Sequence, residues 1–417
     1  MSIPVAKRLP VYFRWLCFAQ TIRVSLPITV YRQPIMFIRT TCTTIGVACI
    51  GMSMAMSAPS VFALADIIET PSRPTTLAPG HLLNDADRAG ERVVAAGERG
   101  HVIYSDDQGE TWEQAEVPVS ATLTGIDFGT EQHGWAVGHS GVVLHSSDGG
   151  ESWELQLTGI KAAELAIESR QEQIDEMEQR VEEAPEEEKA DLQWALDDLF
   201  FSLENLQADL DVGPVNPFLD VWFENENHGF VVGAYGMFLR TTDGGETWKD
   251  WAPTIENPSG FHLNGITRIT GGALVIVGEA GQIFVSVDGG DSWEKRESPY
   301  QGSFFGAIGT DRVNEVLVFG LRGNMFLSTD LGRSWKVVPN EAGATLNDGV
   351  VSDDGRIILV GNGGTVLMST NGGQSFRPYS RDDREGVMDV VPVSGTNFLM
   401  VGEGGVKYTN ARGKDRQ

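Results

Sequence analysis

The sequence predicts an all-β fold, a seven-bladed β-propeller with an antiparallel α-helical hairpin inserted between two blades. Three observations carry that expectation. A Gly-x-x-Gly pair recurs at Gly97/Gly100, Gly138/Gly141, Gly233/Gly236, Gly278/Gly281, Gly320/Gly323, Gly361/Gly364 and Gly402/Gly405, spaced 41 to 45 residues apart except for one interval of 95. A short apolar run follows each pair, and in six copies it leads into an acidic turn that ends on an aromatic residue. The long interval holds a glycine-free stretch, 160–212, in which apolar residues fall seven apart. A period near 40 residues made of short strands is what four-stranded propeller blades write into a sequence.

The chain begins differently. Residues 1–65 carry six Lys/Arg and no Asp or Glu. Met36 and Arg39 open a short basic region, an apolar run covers 45–56, and Ala63-Leu64-Ala65 supplies a small-x-small cleavage site, so 36–65 reads as a signal peptide and 1–35 as an extension upstream of the true start. A retained anchor fits less well, because the apolar run is shorter than the roughly 20 residues a span needs. Lipidation at Cys49 also fits less well, since Gly46 stands where an apolar residue is expected. The expected location is therefore exported, periplasmic or its lumenal equivalent. Cys17, Cys42 and Cys49 all precede Asp66, which leaves the body without a thiol for nucleophilic or metal chemistry. Removing 1–65 shifts the net charge from −27 to −33, six positive charges going and no negative ones. So acidic a body, without a Lys/Arg stripe, excludes nucleic acid as a partner.

The propeller is expected over 66–417. Its second repeat shows the blade plan: strands at 123–128, 134–138, 142–147 and 153–157, short and β-branched, with glycine at their ends. Glycine at both ends of the Gly-x-x-Gly turn is expected to supply positive φ. The acidic turns place Asp107 before Trp112, Asp148 before Trp153, Asp243 before Trp248, Asp288 before Trp293, Asp330 before Trp335 and Asn371 before Phe376. Each acid can accept backbone N–H groups inside its turn while the aromatic packs inward. Recurring once per blade, these acids are spread round a rim, which argues for structure over acid/base or metal chemistry. The histidines show no metal-ligand spacing, and His133 and His228 recur at matching repeat positions. No cofactor or metal is expected. The seventh repeat stops after its third strand, so 66–76, with Ile67 and Ile68, is expected to close the ring as that blade's outer strand.

In the insertion, Ile160, Ile167, Ile174 and Val181 form one heptad row, and Leu192/Leu199/Leu206 with Leu196/Leu203/Leu210 form its partner, turning near Pro185. The stretch holds 17 acidic and 4 basic residues. Trp194, Phe200 and Phe201 lie off the seam and are available to the propeller or to a partner.

The turn pattern Ser/Thr-x-Asp-x-Gly-x-Ser/Thr-Trp resembles the Asp-box, or BNR, repeat. The fuller units Asp127-Phe128 with 133–138, and Asp220-Val221-Trp222-Phe223 with 228–233, are similar to repeats of the photosystem II stability/assembly factor family. That resemblance covers about 350 residues, the insertion apart. It implies a seven-bladed propeller that is not an enzyme, acting as scaffold or assembly factor for a membrane-protein complex or its subunits. It implies a photosystem client in a photosynthetic host, and an envelope transporter or outer-membrane complex as the natural client elsewhere. The protein would be monomeric and at most peripheral to the membrane. The family uses an arginine-rich face; here only Arg99 and Arg322 stand in the corresponding turns, beside Glu98, Glu279 and Glu403. With His139, Tyr235, Trp194, Phe200 and Phe201 they are the candidate partner-binding residues, on the face shared by the Gly-x-x-Gly turns and the hairpin. The alternative is a sialidase-like Asp-box glycoside hydrolase, but no acid pair stands outside the repeat pattern.

Overall fold

Runs such as Leu-Val-Ile-Val-Gly (Leu274–Gly278) and Val-Leu-Val-Phe-Gly (Val316–Gly320) are apolar at every position because they are buried on both faces. In the computed structural model, which describes residues 66–213, 216–393, 395 and 397–415, such a run is the second strand of each blade, sandwiched between two neighbouring blades. The expected signal segment and the extension before it lie outside the described residues. Seven antiparallel sheets form, six of four strands and one of three. Blade 2 is built from Leu123–Phe128, Gly134–Gly138, Val143–Ser146 and Glu154–Leu157, within a residue or two of the predicted strands. The first strand of each blade lies against the first strand of the next, and that of blade 7 (Val387–Pro392) returns to that of blade 1 (Leu83–Ala89). Seven blades therefore close a ring around a central cavity.

The core sits between blades. Trp135 and Phe223 stack face to face across the seam of blades 2 and 3, with Val137, Leu157 and Trp248 in the same cluster. Trp153 and Trp248 are buried, at 4% and 6% exposure. Trp112, Trp293, Trp335 and Phe376 are only half-buried, wedged at the blade boundaries.

The glycines of the turns divide their work differently from the expectation. The first glycine is extended, for instance φ −169° at Gly97. It is glycine because a Cβ there would sit 2.1 Å from the Leu82 carbonyl oxygen; the matching approach at Gly138, to the Thr122 oxygen, is 2.3 Å. Positive φ falls instead on the last two turn residues, Arg99 and Gly100 in blade 1, Tyr235 and Gly236 in blade 3.

Ring closure also departs from the sequence reading. Blade 1 keeps its own four strands and blade 7 has three. The segment 66–76 runs along the outside of blade 1: Ser72 N–H donates to Val117 O at 2.9 Å, and Ser120 N–H donates to Ile67 O at 2.8 Å. Ile68 packs into the cluster shared by blades 1 and 2. The outer side of blade 7 takes a bridge from Thr409 to Asp415, where the chain turns back on itself. Ile67 and Ile68 lie in a turn closed by Glu69 N–H to Asp66 O at 3.1 Å, not in the expected outer strand.

The insertion is a helical hairpin, α1 (Gly159–Glu183) and α2 (Lys189–Val212), with the Thr158 side chain accepting from Lys161 N–H at the start. Ile174, Leu196 and Leu203 are its buried seam, flanked by Ile167, Met177, Val181 and Leu199. Ile160, predicted on that seam, is 48% exposed. In the first turn Ala162 faces inward instead and joins the blade 2–blade 3 cluster, with Leu165 packed against it. The small residues allow close approach: a Cβ on Gly141 would meet Gly159 Cα at 2.5 Å.

Trp248→Ala is expected to lower stability by about 3–5 kcal/mol, as deletion of a buried aromatic does, whereas Trp293→Ala, half-buried, costs less. Urea unfolding of both variants checks this ordering; equal losses would contradict it.

Candidate functional site

Strands two and three of a blade are joined by the Gly-x-x-Gly turn, strands three and four by the Asp box, so the two turns stand at opposite ends of the same third strand. The propeller consequently has two unlike faces.

The Asp-box face is held by its own hydrogen bonds. In blade 1 Ser105 Oγ donates to Asp107 Oδ1 at 2.8 Å and accepts from Gly109 N–H at 2.7 Å, while Thr111 donates its N–H and hydroxyl to the two Asp107 oxygens at 2.8 and 2.5 Å. The same set recurs on Asp148, Asp243, Asp288 and Asp330, and Asn371 keeps most of it. These bonds hold the Asp107 and Asp288 carboxyls down at about 2, the Thr111 and Ser292 hydroxyls being the largest cause. The second box glycine reaches the preceding blade: Gly150, at φ 88°, has Val94 and Phe128 where a Cβ would go. The acids are thus occupied in shaping turns.

On the opposite face several turn tips reach solvent. Arg99, His139 and Arg322 are exposed, and Tyr235 is 66% exposed. The hairpin rises from the same face, beside the blade 2 turn. Between α2 and blade 3 lies a groove of about 630 Å³, with Asp198, Phe201 and Asn205 on one wall, Tyr235, Glu256 and Pro258 on the other, and Arg170 and Leu206 along its floor. Among the candidate residues, the structure brings Tyr235 and Phe201 to one groove. Trp194 lies further along α2 at 74% exposure, and Phe200 at 40% lies off that side. Arg99 and Arg322 belong to blades 1 and 5, and His139 to blade 2, each at the tip of its own turn.

The centre of the ring holds residues the sequence reading did not single out as a group. Asp85, Asp87, Asp127, Asp220, Asp348 and Asp389 line a cavity of about 430 Å³. All are on first strands, and five of them cross to the next blade. Asp85 Oδ2 accepts from Ile126 N–H at 2.7 Å, Asp127 from Phe223 at 2.6 Å, Asp220 from Ile266 at 2.8 Å, and Asp389 from Ala86 at 3.0 Å, the last closing the ring. Asp87 likewise accepts from Phe128 N–H at 2.7 Å. Beside them Asn84, Thr124, Asn264 and Asn347 donate to carbonyls of the following blade. The carboxyls face the cavity, and desolvation raises Asp87 to about 6 and Asp220 to about 7. Asp85, Asp127 and Asp348 are also pushed well above the ordinary range, by burial first and then by one another. Among the described residues no group of three or more His, Cys, Asp or Glu is arranged to hold a metal ion. The signal that marks the ring is an aspartate inside a strand, a position where acids are disfavoured.

Comparison with known proteins agrees with this architecture. The family profile described as photosynthesis system II assembly factor YCF48 matches residues 104–179 and 203–417. The chain belongs to that family. The photosystem II assembly lipoprotein Ycf48 of Synechococcus sp. (strain CC9902) is 29% identical over 152 residues, 35% of this chain and 43% of that one. The photosystem II stability/assembly factor HCF136, chloroplastic, of Oryza sativa subsp. japonica is 28% identical over 151 residues, 33% of this chain and 35% of its own length. The chain thus spans less than half the length of these curated relatives. The solved structure of YCF48 bound to D1 peptide superposes with a TM-score of 0.55 at 15% identity, covering 79% of this chain and 93% of that chain, and shows the shared fold.

An aspartate whose pKa is raised on folding takes up a proton, so its contribution is full below the unfolded value near 4 and is lost as pH rises through about 6 to 7. The box aspartates act in the opposite sense, stabilising above about pH 4 and ceasing to do so as pH falls toward 2. The melting temperature is therefore expected to rise from pH 8 to pH 5 and fall again below pH 4. Asp220→Asn should flatten the first limb only; an unchanged slope between pH 8 and pH 5 in that variant would contradict the assignment.

Proposed function

We propose that the protein is an exported, non-catalytic assembly factor that docks a membrane-protein client on the face bearing the Gly-x-x-Gly turns and the hairpin. The observation that carries the reading is the division of the two faces within a family of assembly factors. One face spends its polar groups on its own turns, and the other presents Arg99, His139, Tyr235 and Arg322 unburied on a rigid repeated frame. A related propeller solved with a D1 peptide supports a peptide segment of a membrane protein as the kind of ligand. In a photosynthetic host the client is a photosystem; in another host it is an envelope transporter or outer-membrane complex.

Export is supported by the 36–65 signal pattern and by relatives named as lipoproteins. No described helix is long and apolar enough to cross a membrane. The non-catalytic reading rests on the use of the carboxyls: those of the box faces close turns, and five of the six central ones accept backbone N–H groups from the adjacent blade. The glycoside hydrolase alternative would need an acid pair free to meet a sugar.

Reversing Arg99 and Arg322 together to Glu is expected to weaken client capture from envelope extracts by about tenfold, the scale of losing two interface charges. Glu110→Lys with Glu246→Lys, on the Asp-box rim, should leave capture unchanged. Loss of the client in the rim variant with retention in the turn variant would place docking on the other face.

A further inference from the structure

The α2 helix exposes Trp194 and Phe201, at 74% and 64%, on the side opposite its buried Leu196 and Leu203. Seven residues apart in a helix, the two rings stand two turns from each other in one row, separated by roughly 10 Å. Asn205 and Ala208 continue that row. Acidic side chains border it, Asp197 and Glu204 on one flank, Asp191, Asp198 and Asp209 on the other, all exposed. From Asp191 to Val212 the helix contains no basic residue. At the Phe201 end the row meets the groove whose far wall is Tyr235, Pro258 and Glu256. Arg170 is the groove's one cationic side chain, and it lies toward Asp250 and Asp198, the first of which receives the Ser169 hydroxyl. Trp194, Phe200 and Phe201 fall in 180–202, the stretch left out of the family profile match.

Exposed aromatics in a row are costly in water and mark a contact surface. The charge around this row selects the occupant. A second copy would bring a second hairpin of 17 acidic and 4 basic residues against the first, and an anionic lipid surface would be repelled in the same way. We propose that the Trp194–Phe201 row and the adjoining groove dock a cationic amphipathic helix of a partner protein. Its apolar side chains at i, i+3/i+4 and i+7 would interleave with the two rings and Tyr235, and Lys/Arg on either side of its apolar stripe would meet the two acidic flanks. The inference rests on the docking reading only in taking the hairpin as a contact surface, and because this row lies outside the profile match it defines a contact that the rest of the propeller does not share.

The probe is a fluorescein-labelled peptide of about 18 residues, Leu at helical spacing and Lys elsewhere, titrated by anisotropy against the purified 66–417 chain at about 0.15 M salt. Its comparator is the same composition shuffled so that no single face is apolar. The wild type is expected to bind the amphipathic peptide about tenfold tighter than the shuffled one, and Trp194→Ala with Phe201→Ala to remove that difference, as loss of aromatic anchors does. Phe200→Ala, off the row, should keep it. Asp197→Asn with Asp198→Asn should weaken binding and lower its salt dependence. Both rings are exposed, so the double variant should melt with the wild type, and circular dichroism checks that it does. Equal binding of the two peptides, or wild-type binding by the double variant, overturns the proposal. So does sedimentation showing self-association, or co-flotation with phosphatidylglycerol vesicles, that the double variant abolishes, since the row would then belong to a second copy or to a membrane. Failure of client capture with peptide binding intact would count against the assembly reading and leave this one standing.

Discussion

The reach of first-strand side chains into the backbone of the next blade is the interaction on which the ring depends. A blade's inner strand has its hydrogen bonds satisfied on one side by its own second strand. On the other it is the edge of its sheet and faces the cavity, so amides such as those of Ile126, Phe128, Phe223 and Ile266 have no strand partner. Buried amides must find partners, and the aspartates of the neighbouring blade provide them. Where the neighbour needs room the residue is glycine: a Cβ on Gly125 would approach Asp220 Cα to 3.1 Å. The third position of the first strand is accordingly Asp in blades 1, 3, 6 and 7 and Gly in blades 2, 4 and 5. The bond from Ala86 N–H to Asp389 links the two ends of the described chain across 303 residues without an exchanged strand.

This arrangement has an electrostatic consequence. Carboxylates held close around a small cavity resist ionising together, so Asp85, Asp87, Asp127, Asp220 and Asp348 keep their protons to higher pH than free aspartates do. The Asp boxes are the reverse case, with carboxylates kept charged by hydroxyl and amide donors at the solvent rim. Two sets of aspartates in one repeat therefore respond to pH in opposite directions. Most of both sets are engaged in holding turns and joining blades, which directs attention to the turn tips and the hairpin.

Much of this was legible in the sequence. Glycine punctuation and unbroken apolar runs located the strands of blade 2 almost to the residue, and heptad spacing with Pro185 located both helices. The box hydrogen bonds followed from residue type and spacing, because donor and acceptor lie within four residues. The central ring was not legible as a group, since five of its six aspartates meet an amide 41 or more positions away and share their strands with residues that look like ordinary core. Ile160 illustrates a second limit: heptad register places it on the seam, but α1 enters the hairpin through contact with the propeller, and Ala162 takes the inward position. Ile67 and Ile68 illustrate a third, because a short apolar pair can sit in a turn over the joint of blades 1 and 2 as readily as in an outer strand. Of the docking candidates, the sequence identified exposed aromatics off the seam, and only the fold brings Phe201 to the same groove as Tyr235.

Hydrogen exchange followed by mass spectrometry on Asp389→Ala, beside the wild type, tests the central claim most directly. If carboxylate-to-amide bonds between first strands hold the ring shut, the segments Leu83–Ala89 and Val387–Pro392 should lose protection in the variant while the inner strands of blades 3 to 5 keep theirs. Unchanged protection at both segments would contradict the account, and would mean that apolar packing between blades closes the ring without the aspartates.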